Sequence, residues 1–194
     1  MSFAPPPLLL TFGCLFACGI ACSAAAQDQA KPAEHVTGTG GTFLRYSSKQ
    51  VSVDLTPAEQ ATFQQARDQR YDSAEPGAVL DAVAVALAQQ GYAVTGIDRD
   101  FRLVEAHHDE LLVSKRREVL RGVLKARLKA QLPGRPDHQS TEAMIAVKPD
   151  GQGVLVRSRF IATVWDSNGD ARTRIVGDAK VYRDFYAAVG TRLR

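Results

Sequence analysis

The densest group of titratable side chains in the chain is the run His107-His108-Asp109-Glu110. Imidazole and carboxylate groups at this density can transfer protons or bind a metal ion. Consecutive residues of a strand point to opposite faces, however, so the two histidines are poorly placed to share a ligand. The helical zinc spacing, two histidines four residues apart with a glutamate between them, is absent. The sequence therefore predicts a polar strand-to-helix junction with Asp109 as the helix cap, and a small-ligand carrier or hydrolase using His107 or His108 as the alternative.

A second polar group, Asp166, Asn168 and Asp170 around Gly169, resembles part of a calcium loop. It lacks the distal glutamate and the full ligand spacing that such a loop requires. Asn-Gly is the expected dipeptide of a hairpin turn, so we predict a turn here and no metal site. Nucleophile elbows, phosphate loops and dinucleotide fingerprints are also missing from the sequence. We therefore expect no cofactor and no enzymatic activity.

The strongest functional feature is a basic stretch between Lys115 and Lys129, which holds seven basic residues and one acid, Glu118. Arg121, Lys125 and Lys129 are four residues apart and so line one face of a predicted helix. A basic amphipathic helix can bind an anionic membrane surface or an acidic partner. A solvated helix face is the alternative interpretation. The net charge of the whole chain is only +3, which does not indicate nucleic-acid binding.

All three cysteines, Cys14, Cys18 and Cys22, lie in an apolar N-terminal stretch, and residues 1–26 carry no Lys, Arg, Asp or Glu. The nearly unbroken apolar run from Leu8 to Ile20 is shorter than the roughly 20 residues of a membrane-spanning helix. Its length suits the apolar region of a secretory signal, although the segment before it has no basic residue. We expect an exported protein whose domain contains no disulfide and no thiol.

Two processing sites are compatible with this signal. The stretch before Cys22 resembles a bacterial lipobox because Ala21 precedes the cysteine, and Cys18 is a second, poorer match. Modification of Cys22, followed by Ser23, would tether the protein to the outer membrane. Cleavage after Ala26, at an A-x-A site, would instead release a soluble periplasmic protein. We expect lipidation at Cys22 and leave cleavage after Ala26 as the alternative.

The chain divides into a signal with lipobox at 1–22, a flexible linker at 23–55 and one domain at 56–194. The linker assignment comes from Ala, Gln, Pro and the Gly-rich stretch 37–42, which bury little apolar surface. A capping box, Thr56-Pro57-Ala58-Glu59, predicts a helix from about 57. The segment 61–71 is ambiguous between helix and strand.

Apolar periodicity predicts the remaining elements. We expect helices at 76–90, 109–132 and 179–193, a hairpin of 92–98 and 102–108, and strands around 143–147, 154–164 and 172–176. Helices and strands do not alternate one to one, which argues against a parallel doubly wound sheet. The predicted fold is α+β, with an antiparallel sheet of about four to six strands and helices packed on one face.

This pattern resembles a group of small, uncharacterised bacterial outer-membrane lipoproteins. The resemblance covers roughly residues 63–193 and rests on the helix Val79–Leu87 followed by Gln90-Gly91-Tyr92-Ala93-Val94, on the long strand Val154–Trp165, and on the start of the last helix, Tyr182-Arg183-Asp184-Phe185-Tyr186. In that group Leu-Gly-Phe is usual where Gln-Gly-Tyr stands here. The resemblance implies a helix-on-sheet domain that binds another envelope component, and it implies no catalytic residues.

Overall fold

The computed structural model describes residues 32–39, 49–112 and 135–194. In these ranges the chain forms strands and helices that share one sheet and one hydrophobic core. The strands are β1 (Glu34–Thr39), β2 (Lys49–Val53), β3 (Asp68–Asp72), β4 (Ala93–Asp98), β5 (Leu103–Leu111), β6 (Pro136–Asp150), β7 (Gly153–Asp166) and β8 (Ala171–Ile175). The helices are α1 (Pro57–Ala66), α2 (Pro76–Gln89) and α3 (Ala179–Arg192).

The sheet has eight strands in the order β1-β2-β8-β7-β6-β5-β4, with β3 paired to β7 beside β8. Strand β7 is long enough for its first half to pair with β3 and its second half with β8. All pairs are antiparallel except β2 with β8, which are parallel. The α+β prediction is confirmed, but the expected four to six antiparallel strands were too few, and the sheet is mixed.

Two of the additional strands, β1 and β2, fall in residues 23–55, which the sequence assigned to a flexible linker. Both strands are short. The backbone of β2 is held in the sheet by parallel pairing with β8, which lies more than a hundred residues later in the chain. Val51 is buried at this contact. No local pattern predicts such a partner, because the pairing is supplied by the tertiary fold.

The third additional strand, β3, resolves the ambiguous segment 61–71. Thr56 and Glu59 form the predicted capping box: Thr56 accepts from the backbone N–H of Glu59, and Glu59 accepts from that of Thr56. The helix α1 ends at Ala66, and β3 begins two residues later against the edge of β7. Phe63 is the buried residue of α1 and packs edge-on against Tyr182 of α3.

Helices α2 and α3 form as predicted. Gly91, with a φ of 86°, follows the last turn of α2, and Asp178 caps α3 by accepting from the N–H of Lys180. No helix in the described ranges is both long enough and apolar enough to cross a membrane. The core forms between these helices and one face of β5, β6 and β7. Its fully buried members are Val79, Leu80, Val83, Ala86, Leu87, Val104, Ile145, Val154, Val156, Phe160, Tyr182, Phe185 and Val189.

The expected helix at 109–132 was wrong at its start. Strand β5 continues to Leu111, where it pairs with His138, and Asp109 lies opposite Ser140 in the sheet. Asp109 therefore does not cap a helix. Strand β5 extends this far because its partner β6 begins at Pro136. The clear apolar alternation of β6 starts only at Ala143, so the sequence predicted a later start for that strand. The rest of the predicted helix lies outside the described residues.

Candidate binding face of the sheet

The sheet has one face covered by helices and one open face. Alternate residues of β6 show the division: Ala143, Ile145 and Val147 are buried, whereas Glu142 and Met144 are exposed. Antiparallel sheets commonly tolerate one such solvated face. The open face is defined here by the outward positions of the three central strands. These are Leu103, Glu105, His107, Asp109 and Leu111 of β5, His138, Ser140, Glu142, Met144, Ala146 and Lys148 of β6, and Leu155, Arg157, Arg159, Ile161, Thr163 and Trp165 of β7.

Strand register arranges these side chains in rows across the strands. Met144 pairs with Glu105 on one side and with Arg159 on the other, and these three residues form the central row. Directly opposed side chains have Cβ atoms about 4.5–5.5 Å apart, so each charged group flanks the thioether. Met144 is 48% exposed, which is high for a large apolar side chain in the middle of a sheet. The central row is therefore an apolar centre with an acid on one side and a base on the other.

A second row at one end of the open face is aromatic and apolar. Leu111 pairs with His138, which pairs with Trp165. The rings of His138 and Trp165 are stacked, with centroids 4.7 Å apart and planes 9° from parallel. Leu111 is 72% exposed. This end row presents a flat aromatic surface and an uncovered leucine beside the point where the chain leaves the sheet.

The open face carries charges of both signs. The acids Glu105, Asp109 and Glu142 lie on β5 and β6, and the bases are Lys148 near the end of β6 and Arg157 and Arg159 on β7. Within the described residues, neither Glu105, Glu142 nor Arg159 forms an ion pair. Unpaired charges of both signs on one surface favour contact with a partner of matching pattern.

Arg157, by contrast, is used within the fold. Its guanidinium donates two hydrogen bonds of 2.7 Å to the carboxylate of Asp68 on β3. This bidentate contact, opposed by partial burial, lowers the pKa of Asp68 below its usual value. Asp68 and Arg157 lie directly opposite each other in the sheet, so this ion pair joins β3 to β7. Arg157 therefore holds the edge of the sheet, whereas Arg159 remains available on the open face.

The histidine pair of the sequence motif is split between the two faces, as strand alternation predicts. His108 lies on the helix side, where its Nδ1 is 2.8 Å from the carbonyl oxygen of Gly91 and its ring packs near Tyr92. His107 lies on the open face, with its Nε2 3.9 Å from a carboxylate oxygen of Asp109. A Cβ on Gly91 would stand 3.3 Å from the His108 ring. His108 therefore has a packing role against the turn after α2.

Two cavities among the described residues lie away from these histidines. One, of about 660 Å³, is a groove between α1, β3 and α3 that includes Asp68, Tyr71, Arg183 and Arg194. The other, of about 560 Å³, lies where β2 and α1 meet β7 and β8. Neither is lined by His107 or His108. The carrier or hydrolase alternative therefore gains no support from either of these two cavities.

The segment around Gly169 is the predicted hairpin turn between β7 and β8. One carboxylate oxygen of Asp166 accepts from the backbone N–H groups of Asn168 and Asp170, and Gly169 has a φ of 87°. Asp170 in turn accepts from the N–H of Lys49 on β2. These carboxylates are occupied by backbone donors. In residues 32–39, 49–112 and 135–194 no group of three or more metal-ligating side chains occurs.

The other sequence-predicted site residues, Cys22 and the basic set Arg121, Lys125 and Lys129, lie outside the described residues. The basic stretch is bracketed by Leu111 and His138, which are directly paired. Sequence reasoning missed the open face as a site. The sequence carries a partial signal, because strand alternation places Arg157 and Arg159 on the face opposite Val156 and Phe160. The row that joins Arg159 to Met144 and Glu105 depends on register.

Comparison with known proteins adds no family to this description. No protein-family model matches the chain, and a search of curated proteins found no similar sequence.

Proposed function

We propose that this protein is a non-enzymatic component of the bacterial envelope, anchored to the outer membrane through Cys22, that binds another envelope component. The observation that carries the binding role is the open face. Met144 and Leu111 are exposed there among unpaired charges, whereas the opposite face of the same sheet is packed by helices. Exposed apolar groups bordered by polar residues are typical of interaction surfaces.

The basic residues Arg121, Lys125 and Lys129 support an anionic partner or membrane surface in the same role. The chain leaves the sheet after Leu111 and returns to it at Pro136, next to the end row. A lipid anchor at Cys22 would hold the domain near phospholipid headgroups, lipopolysaccharide and other envelope proteins. The open face and the basic stretch would then contribute apolar and electrostatic contacts respectively.

The open face is tested by chemical cross-linking in the native envelope. Met144→Asp places a third carboxylate beside Glu105 and Glu142 and removes the apolar centre. We expect it to lower the yield of the cross-linked complex at least severalfold. The matched control is Val85→Asp, because Val85 on α2 is similarly exposed, at 43%. Equal yields from the two variants would exclude the open face as the binding surface.

The basic stretch is tested separately, by sedimentation with vesicles of phosphatidylethanolamine and phosphatidylglycerol. The triple variant R121E/K125E/K129E should lose vesicle binding while keeping the far-UV spectrum of the folded domain. The control R183E/R192E/R194E makes the same charge change on and beside α3. If the first variant binds as well as the wild type, the anionic-surface role is wrong.

Anchoring is tested by the intact mass of the mature protein from its native envelope. A chain that begins at Cys22 and carries acyl groups supports the lipoprotein proposal. An unmodified chain that begins at Gln27 contradicts it and supports the soluble periplasmic alternative.

A further inference from the structure

We infer that the centre of the open face docks a second copy of this chain. The inference rests on the proposed function in one respect, that the open face is a binding surface, and it names the occupant of that surface. The observation that carries it is the charge pattern around Met144. Glu105 on β5 and Arg159 on β7 flank Met144 across the strands, and Glu142 lies two residues from Met144 along β6 on the same face.

This pattern is complementary to itself. A two-fold axis that lies between β6 and β7 and runs parallel to them lays β7 of one copy over β6 of the other. Arg159 of the second copy then lies over Met144, with Glu105 and Glu142 in reach of its guanidinium. By symmetry, Arg159 of the first copy meets the same three groups of the second. The aliphatic stem of arginine packs on the thioether while its charged end pairs with carboxylates.

A partner with charge of one sign fits this surface less well. An acidic partner would be attracted to Arg159 and repelled by Glu105 and Glu142, and a basic partner would meet the reverse. Like charges brought together at an interface are unfavourable, so part of the central row would oppose either partner. A partner with both signs in matching positions satisfies all of these charges, and the two-fold arrangement described above gives a second copy this property. Methionine and arginine are also enriched at protein interfaces.

The groups involved are free to make these contacts. Neither Glu105, Glu142 nor Arg159 forms an ion pair or a side-chain hydrogen bond with the described residues. Arg157, the next outward base on β7, is held by Asp68 and is not needed for the contact. Arg157 therefore binds Asp68 at the sheet edge, whereas Arg159 can contact a partner on the open face.

The experiment is sedimentation velocity of the mature chain, purified from its envelope in a density-matched detergent. We expect the wild type to sediment with twice the protein mass of one chain. R159E alone should associate about tenfold or more weakly, because each carboxylate pair would then face another carboxylate. The variant E105R/E142R should weaken association equally, because arginine would face Arg159. Arg183→Glu, an exposed change on α3, is the matched control and should leave the mass unchanged.

The decisive arm mixes the two charge-reversed variants. In a heterodimer of R159E with E105R/E142R both contacts again join opposite charges, so association should return to the wild-type level. A combined R159E/E105R/E142R chain should likewise self-associate. A monomeric wild type, or a mixture that stays monomeric while both variants keep wild-type unfolding curves, would overturn the inference.

The same variants separate this inference from the proposed function. If the wild type is monomeric but Met144→Asp still abolishes a cross-linked product with another envelope component, the binding role stands and the second copy is wrong. If the only cross-linked product has twice the mass of the chain, self-association stands and the heterologous partner is wrong.

Discussion

At the residue scale, the hydroxyl of Tyr186 takes part in a buried hydrogen-bond network. Its hydroxyl donates to the carbonyl oxygen of Arg67 and lies 2.8 Å from the hydroxyl of Ser158. These contacts join α3 to β7 and to the residue between α1 and β3. Burial raises the pKa of Tyr186 well above its usual value, although the Ser158 hydrogen bond acts in the opposite direction. The phenol is therefore neutral at ordinary pH, and its hydrogen bonds join three parts of the fold.

Removing this hydroxyl should destabilise the domain. Tyr186→Phe leaves the Ser158 hydroxyl without this buried partner and leaves the Arg67 carbonyl with the backbone N–H of Ser158 as its donor, which we expect to cost about 1–3 kcal/mol. The measurement is the free energy of unfolding in urea. Tyr92→Phe is the matched control, because burial alone raises the pKa of Tyr92 and no hydrogen bond contributes to the shift. Equal effects of the two variants would contradict a structural network at Tyr186.

Buried tyrosines also make stability depend on alkaline pH. Burial raises the pKa of both Tyr71 and Tyr182 to about 12, whereas tyrosines of the unfolded chain titrate at about 10. The folded state thus holds these protons more tightly. Stabilisation should be complete below about pH 10 and should fall as the pH rises towards 12.

Urea unfolding between about pH 9 and pH 11.5 measures this fall, and phenolate absorbance reports the titration itself. Tyr71→Phe should show a shallower decline than the wild type, because one raised pKa is gone. A free energy of unfolding that stays constant over this range would contradict the burial of both phenols.

At the element scale, β7 organises the sheet by pairing with three strands. Its first half joins β3 so closely that Gly153 has room for no side chain: a Cβ there would stand 2.6 Å from the carbonyl oxygen of Tyr71. The backbone of β3 cannot move aside easily, because the Tyr71 hydroxyl also donates to the carbonyl oxygen of Tyr186 on α3. Gly153 therefore sets the distance between β7 and the strand at its edge.

Gly153→Ala should disrupt this edge and cost about 1–3 kcal/mol, the usual range for overpacking. Gly96→Ala is the matched control, since a Cβ at that strand position meets nothing nearer than 3.6 Å. Urea unfolding gives both values, and amide exchange of residues 68–72 locates the effect. A loss as large in the Gly96 variant would show that glycine replacement in any strand, and not the contact with β3, is responsible.

At the scale of the whole molecule, the sheet separates a packed face from the open face. One side is covered by α2 and α3, and the other carries acids on β5 and β6 and bases on β6 and β7. Self-association through these charges should be sensitive to salt, because exposed charges are screened over about 8–10 Å near physiological ionic strength.

We expect the association constant of the wild type to fall severalfold between about 0.05 M and 0.5 M NaCl, as the Debye length shortens. Sedimentation velocity at each concentration measures it. The R159E variant should lose this dependence. Tighter association at high salt would indicate an apolar contact and would contradict the role of the central row.

The sequence determined the elements that local patterns specify. The capping box of Thr56 and Glu59 begins α1, the apolar stripe from Val79 to Leu87 forms α2, and the alternation from Val154 onwards forms β7. Export and lipidation at Cys22 remain predictions from the same sequence. Each of these features depends on residues that are close together in the sequence, so local sequence patterns are enough to predict it.

The tertiary structure decided the size of the sheet and the pattern of the open face. β2 becomes a strand through its pairing with β8, β5 extends to Leu111 because β6 lies opposite, and Glu105, Met144 and Arg159 become neighbours only through register. These residues come from three strands and share no local spacing. A shift of one residue in either pairing would place them on different faces, and only long-range packing of the opposite face fixes that register.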